Sequence, residues 1–145
     1  MRNNKGFSLV ELIIVIAIMA ILIGVMAPQL IKYIEKTNVS SDTQLADTVK
    51  SAITTAMLDP AVITAPGYTQ PASGTLANVI SGSGTEFQTA VEETLGCTAA
   101  ECVDKLKSKD ATGIQVYIVN ANSVHVEITG SHADGKGGAQ TIYVD

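Results

Sequence analysis

The chain has 145 residues, a formal net charge of −5 and a mean hydropathy of +0.28. This length suits one small domain beside an anchoring segment. The acidic balance excludes a general electrostatic attraction for nucleic acid, and 4% aromatic residues without tryptophan leave few rings for stacking on bases or sugars.

A short basic leader precedes a long apolar segment. Residues 1–6 contain Arg2 and Lys5, and the apolar segment then runs from Phe7 to Ile31. As a helix, its 25 residues reach about 37 Å, enough to span a bilayer. The positive-inside rule places the leader in the cytoplasm and the rest of the chain outside, as a single-pass membrane protein.

One carboxylate, Glu11, lies near the start of this apolar segment. An ionised side chain in hydrocarbon costs about 2.5 kcal/mol or more, so an intramembrane acid is by default a functional hypothesis. Glu11 is therefore expected to have a partner.

The residues around Glu11 indicate what that partner is. Lys5-Gly6-Phe7-Ser8-Leu9-Val10-Glu11, followed by the apolar run and Pro28, resembles the N-terminus of a type IV prepilin. The resemblance implies cleavage between Gly6 and Phe7, methylation of the new Phe7 amino group, and assembly into a helical filament. It also implies four partners: further pilin subunits in a homopolymer, the prepilin peptidase, an inner-membrane assembly platform, and the cytoplasmic membrane before assembly. No cofactor is expected.

The position of Glu11 favours a role in the register of such a filament. Cleavage leaves a charged amine four residues before Glu11, on nearly the same helical face. In a bundle of these helices, the amine of one subunit can pair with Glu11 of another, and registers that leave either charge unpaired are penalised. The alternative is an acid that only complements the helix dipole, worth about 0.3–1 kcal/mol.

Two other interpretations of the N-terminus remain. A secretory signal peptide is disfavoured because Pro28 would directly follow the mimic of a cleavage site at Val25-Met26-Ala27, and Glu11 would lie unpaired in its apolar core. The other is a plain transmembrane anchor. Only the positions of Gly6-Phe7 and Glu11 distinguish a pilin from such an anchor.

The helical pattern continues to Pro60 and predicts one long helix over 7–58, with the membrane and assembly segment at 7–31. Its first half is apolar all round, and its second half is amphipathic, with apolar residues at spacings of three and four that start at Ile31 and Ile34 and continue from Leu45 to Met57. Residues 39–42 weaken this pattern. Pro28, preceded by Gly24, is expected to kink the helix.

A connecting region with short helices is predicted over 59–113. Prolines and glycines between residues 59 and 75 indicate an exposed loop. Ser83 to Glu86 has the spacing of a capping box for one short helix, and Thr98 to Glu101 has the same spacing for a second that extends towards Lys109.

The two cysteines flank the second box. With Thr98 as the N-cap, Cys97 and Cys102 occupy the two positions that touch in a hydrophobic staple, so a disulfide is geometrically plausible. The domain lies outside the cytoplasm, where disulfides persist. Redox and metal roles fit poorly, because the spacing is C-x4-C with no histidine nearby.

The remaining residues, 114–145, predict an antiparallel β-meander of about three strands. Alternating residues run over 114–119 and 124–129, with a turn at 120–123 and a third strand at 141–144. Its inner face can cover the amphipathic half of the long helix. The predicted fold class is therefore α+β.

Catalytic and metal sites are not predicted. His125 falls on the polar face of a strand and is expected to be solvated. The loop with His132 and Asp134 is a weak calcium candidate, because calcium prefers six to eight oxygen ligands and only Asp134, with Asp145 potentially near, supplies carboxylates.

The sequence thus favours a structural subunit, of the major type, of a type IV pilus, first anchored in the cytoplasmic membrane and then part of an extracellular filament. It is not expected to be an enzyme. The alternative is a pseudopilin of a type II secretion or competence system, and a remote alternative is a bitopic membrane enzyme or receptor.

Overall fold

The computed structural model describes residues 6–130 and 142–145. Its elements in chain order are α1 (Leu9–Leu58), α2 (Pro60–Ile63), β1 (Gly74–Thr75), α3 (Leu76–Ser81), α4 (Thr85–Leu95), α5 (Ala99–Asp104), β2 (Gly113–Asn120), β3 (Ser123–Thr129) and β4 (Ile142–Val144). The chain divides into two compact units, an N-terminal unit up to Ile34 and a folded unit from Glu35 onward. The predicted α+β class is confirmed.

The N-terminal unit contains the apolar part of α1. Every described side chain up to Ile34 is exposed, and the most apolar window of α1 has a mean hydropathy of 3.0. By length and composition this helix is able to cross a membrane. Gly24 and Pro28 both lie inside the helix, which continues through them. The kink expected at these two residues stays a prediction.

In the folded unit, α1 is amphipathic, as predicted. Its buried residues recur every three or four positions and are Val39, Asp42, Ala46, Val49, Ala52, Ile53, Ala56 and Met57. Ile31 and Ile34, which the apolar pattern included, are exposed, and the buried face begins at Val39, in the segment 39–42 where that pattern is weak. Asp42 is buried there because backbone N–H groups of another segment satisfy its carboxylate.

The sheet is antiparallel and has four strands in the order β1-β2-β3-β4, rather than three. In the central pair, Val116 lies opposite Val126 and Ile114 opposite Ile128; Ile128 in turn pairs with Ile142 of β4. These residues are buried and alternate with exposed or half-buried ones, which gives the sheet one core face.

The strand that the sequence missed, β1, has only two residues, too few to show an alternating pattern. Ser73 fixes it beside β2: its hydroxyl accepts a hydrogen bond from the Ile118 N–H at 2.8 Å and lies 3.3 Å from the Ile118 carbonyl oxygen. The segment predicted as loop therefore contains both the short helix α2 and a sheet edge.

The capping box predicted at Ser83 is wrong. Helix α4 begins at Thr85, and its N-cap is Gly84 without a side-chain cap bond. Ser83 is buried and donates its hydroxyl to the Val79 carbonyl at 2.7 Å, so it closes α3 instead. Gly84 has φ 105°, and a Cβ there would lie 2.9 Å from the Gly67 carbonyl oxygen, so this position requires glycine.

The second capping box is confirmed. The Thr98 side chain accepts from the Glu101 N–H, and the Glu101 carboxylate accepts from the Thr98 N–H. Helix α5 ends at Asp104, however, and does not extend towards Lys109. The N–H groups of Lys107 and Ser108 bond to Asp42 instead of continuing a helix.

Candidate functional site at the N-terminus

The predicted processing site lies directly before α1, outside any helix or strand. Gly6 and Phe7 are both exposed, and Phe7 is 94% exposed. A Cβ added to Gly6 would meet nothing within 4 Å. The described chain itself therefore does not require glycine at this position, and any such requirement comes from a partner that binds the segment.

Glu11 lies in the first turn of α1 and is held by its own chain. The Ser8 N–H donates to Glu11 Oε2 at 2.8 Å, and the Leu12 N–H donates to the Ser8 carbonyl at 3.3 Å. Ser8-Leu9-Val10-Glu11 thus has the spacing of a capping box, and the bond from the N-cap N–H to the N3 carboxylate is formed. This capping box was not predicted, although Ser-x-x-Glu before an apolar run is the sequence signature of a capping box.

This bond places Glu11 in a helix cap and uses Oε2. Within residues 6–130 and 142–145, the Glu11 carboxylate accepts a hydrogen bond from Ser8 alone, and it does so through Oε2. A carboxylate offers about four lone-pair sites, so one backbone bond does not saturate it. The helix-start role and the register role are therefore compatible in one side chain.

The apolar surface of the N-terminal unit is the second part of the site. It includes a shallow depression of about 570 Å³ that is lined almost entirely by apolar side chains: Leu22, Ile23, Met26, Ala27, Gln29, Leu30 and Tyr33. An exposed apolar surface of this length is found where a chain meets a bilayer or another chain. A Cβ added to Gly24, in the same part of α1, would have no neighbour within 4 Å.

The two cysteines lie in the folded unit. Cys97 and Cys102 are buried and joined as a disulfide, with their Cα atoms 6.1 Å apart. Thr98 between them is the N-cap of α5, and its backbone hydrogen bond lowers the pKa of the Glu101 carboxyl. This pair fits the staple geometry predicted for it, and its oxidation in the mature protein stays a prediction.

The sheet brings together polar residues that the sequence did not connect. His125 Nδ1 lies 2.8 Å from Asp145 Oδ1, and its Nε2 lies 3.2 Å from the Ser123 hydroxyl. On the same face, a hydrogen bond to Glu127 raises the pKa of Tyr117. His125 was predicted to be solvated, and in the structure it is half-buried and paired.

Ser123, His125 and Asp145 are linked in the same sequence as a Ser-His-Asp triad, but their environment differs from that of a catalytic triad. Such a triad needs preorganised N–H donors where the oxyanion develops. His125 and Asp145 line a shallow surface depression, whose other side chains are the phenols Tyr117 and Tyr143 and the carboxylate of Glu127. A carboxylate disfavours an oxyanion, so the arrangement reads as a surface hydrogen-bond chain.

The structure holds no grouping of three potential metal-ligating side chains within residues 6–130 and 142–145. Asp134, the weak calcium candidate, and its neighbour His132 lie outside the described residues.

Comparison with known proteins identifies the class of the N-terminal segment. Residues 1–27 match the family model described as the prokaryotic N-terminal methylation motif. This is the methylation motif of type IV pilins, so the predicted resemblance to that family is confirmed.

The relatives are named accordingly. The chain is 46% identical over 55 residues to a fimbrial protein of Moraxella nonliquefaciens, which covers 38% of this chain and 36% of that protein. It is 41% identical over 79 residues to the type IV major fimbrial protein FimA of Dichelobacter nodosus, covering 54% of this chain and 47% of that protein. The chain thus spans less than half the length of these curated relatives. No solved structure matches it significantly.

Proposed function

We propose that this chain is the structural subunit, of the major type, of a type IV pilus. The observation that carries the proposal is the fully exposed apolar part of α1, which lies largely within the residues that match the methylation motif and has Glu11 near its start. The folded unit has its own core, whereas every described side chain of α1 up to Ile34 is exposed. Polymerisation through α1 gives that surface an apolar environment in an extracellular filament.

Before assembly, the same surface lies in the cytoplasmic membrane. The leader with Arg2 and Lys5 stays in the cytoplasm, and the folded unit lies outside. The prepilin peptidase cleaves between Gly6 and Phe7, the new Phe7 amine is methylated, and an inner-membrane platform moves the subunit into the filament. The exposure of Gly6 and Phe7, which lie outside any helix or strand, supports this step, because a protease needs access to the backbone on both sides of the bond.

The move from bilayer to filament transfers apolar side chains from one apolar environment to another. Lipid tails are as apolar as leucine, so the hydrophobic effect supplies little drive for helix association. The carboxylate is different, since an ionised acid near the bilayer centre costs about 2.5–3.5 kcal/mol. Pairing Glu11 with the Phe7 amine of a neighbouring subunit relieves that cost, with Oε1 as the acceptor, and this fixes the axial register.

The test is to identify this chain in filaments and to read its mature N-terminus. Filaments sheared from the cell surface should contain the chain as their main subunit, beginning with N-methylated Phe7. Gly6→Val should leave the folded unit intact but block processing, because the clash arises in the peptidase rather than in the chain. Membrane-bound chain that begins at Met1 in otherwise normal cells, with no filaments, would overturn the proposal and favour a bitopic membrane protein.

A further inference from the structure

A loop rich in lysine lies against the first turns of the folded unit. The N–H groups of Lys107 and Ser108 donate to the Asp42 carboxylate at 2.9 and 2.8 Å, and the Lys109 N–H donates to Glu35 Oε1 at 2.8 Å. These three bonds fix the loop along α1, with Lys109 beside the residue at which the folded unit begins. We call the segments 35–42 and 105–110 together the lysine end.

Chain length places the lysine end close to the apolar segment, whatever the orientation of the units. Glu35 follows Ile31, the last residue of that segment, by four positions. This separation is about 6 Å in a helix and at most about 14 Å in a fully extended chain. The headgroup layer on each side of a bilayer is about 5–8 Å thick. A bilayer that holds the apolar segment therefore has its headgroups within reach of the lysine end.

Charge is distributed unevenly over the folded unit. The lysine end contains four of the six lysines that follow residue 34, namely Lys36, Lys105, Lys107 and Lys109, but only three of the thirteen carboxylates. All four lysines are exposed. Two of the three carboxylates, Glu35 and Asp42, already accept backbone N–H groups. Lys36 and Lys107 form no salt bridge with any residue in the described part of the chain.

We propose that the lysine end docks on the anionic phospholipid headgroups of the bilayer that holds α1. This inference rests on the membrane-anchored precursor of the proposed function. The rest of the folded unit carries ten carboxylates against two lysines, so an anionic surface repels it and attracts the lysine end. Docking then holds the folded unit in one orientation on the membrane, and extraction of the subunit into a filament breaks the contact.

The test places the full chain in nanodiscs of phosphatidylcholine, with and without phosphatidylglycerol. Ser40→Trp supplies the reporter, because Ser40 is exposed on α1 and the chain has no other tryptophan. Lipids with a nitroxide headgroup quench it when the folded unit docks. Phosphatidylglycerol should increase quenching, and Lys36→Gln with Lys107→Gln should weaken docking about 25-fold, at about fivefold per lysine. The matching pair of Lys→Arg changes should retain docking.

The control is Lys50→Gln, which removes the same charge about 21 Å farther along the helix than Lys36. It should leave quenching unchanged. Equal quenching in both kinds of nanodisc, or equal losses for Lys50→Gln and Lys107→Gln, would overturn the proposal. So would normal docking of the double variant with a lowered filament yield, which would make the loop a contact between subunits. A chain that does not enter phosphatidylcholine nanodiscs would instead overturn the membrane anchor of the proposed function.

Discussion

The two units of this chain solve opposite physical problems. In the folded unit, apolar side chains from α1, the short helices and the sheet bury one another, with Phe87, Ile53 and Val126 fully buried. In the N-terminal unit, equally apolar side chains are all exposed. The sequence of the folded unit is therefore constrained by its own core, whereas that of the N-terminal unit is constrained by a bilayer or by other copies of the chain.

The contrast extends to two glutamates with the same local geometry. Glu11 accepts the Ser8 N–H at 2.8 Å, and Glu101 accepts the Thr98 N–H at the same distance. Both are third residues of a helix whose N-cap is Ser or Thr. Only the helix that contains Glu11 has side chains that are all exposed over its first turns. Comparing variants of Glu11 and Glu101 therefore separates the effect of losing a helix cap from the effect of losing a charge in the bilayer or filament.

The largest effect is expected from the two phenylalanines, one in each unit. Phe87 is fully buried and packs near Tyr68, with ring centroids 6.3 Å apart. Phe87→Ala should lower the free energy of unfolding by about 3–5 kcal/mol, through lost burial and a cavity. Phe7→Ala, at a residue that is 94% exposed, should leave it unchanged. Urea unfolding in detergent, followed by near-ultraviolet circular dichroism, measures both. Equal losses would contradict the division into units.

Glu11→Ala should leave membrane insertion and cleavage intact but sharply reduce filament formation. The variant helix is cheaper to hold in lipid, by at most the roughly 2.5–3.5 kcal/mol of an ionised acid at the bilayer centre, so a simple anchor would tolerate it. A polymerising subunit instead loses the partner of the incoming amine. Filament yield from cells, alone and with wild-type subunits, measures the effect.

Glu101→Ala is the matched control for this change, because it removes the same carboxylate from the same kind of cap. It should reduce filament yield far less than Glu11→Ala. Similar yields for the two variants would show that Glu11 only starts a helix and that the register hypothesis is wrong.

Asp42→Asn should destabilise the folded unit by about 1–3 kcal/mol. The asparagine amide has one acceptor oxygen where the carboxylate has two, so the buried Ser108 N–H or the Lys107 N–H loses its partner. Glu35→Gln is the control, because a single acceptor oxygen suffices for the Lys109 N–H. Thermal unfolding should show a clear decrease for the first variant and little change for the second. Equal melting temperatures for Asp42→Asn and wild type would refute this role of the carboxylate.

Replacing both Cys97 and Cys102 by serine should cost about 2 kcal/mol, the chain-entropy value for so short a loop. Protein recovered from outside the cell should yield the linked peptide by mass spectrometry without reduction. Two freely alkylated thiols in that protein would contradict the disulfide. Filament register should be unaffected, because the pair lies in the folded unit.

Sequence patterns predicted the elements that rest on long periodicity or on a specific local motif. The amphipathic half of α1, the central hairpin of β2 and β3, and the Thr98 capping box belong to this group. Each has a signal that lies within one continuous stretch of the sequence. The N-terminal site was predicted in the same way, from a run of residues that resembles a known motif.

Two of the errors share a different cause, namely bonds between distant segments. Asp42 reads as a break in an apolar pattern, yet it is buried because residues 107 and 108 bond to it across the fold. The pairing of His125 with Asp145 depends on the register between β3 and β4. Neither contact has a local signal. The error at Ser83 is local, because this residue has the spacing of a capping box but its hydroxyl bonds back four residues to Val79.

The smallest expected effect is a pH dependence of the unfolding free energy that arises from Glu101. The Thr98 backbone N–H, and then the Thr98 hydroxyl, lower the pKa of this carboxyl below its ordinary value of 4.5. A pKa that is lower in the folded state means that the unfolded chain binds the proton more readily. The cap therefore contributes its full stability above pH 4.5, and the contribution is lost as the pH falls through the folded-state pKa. Unfolding free energies of wild type and Glu101→Gln should differ at neutral pH and converge in acid. A difference that stays constant down to acid pH would mean that the bond does not depend on the charge of Glu101, and the cap would then be a poor reference for Glu11.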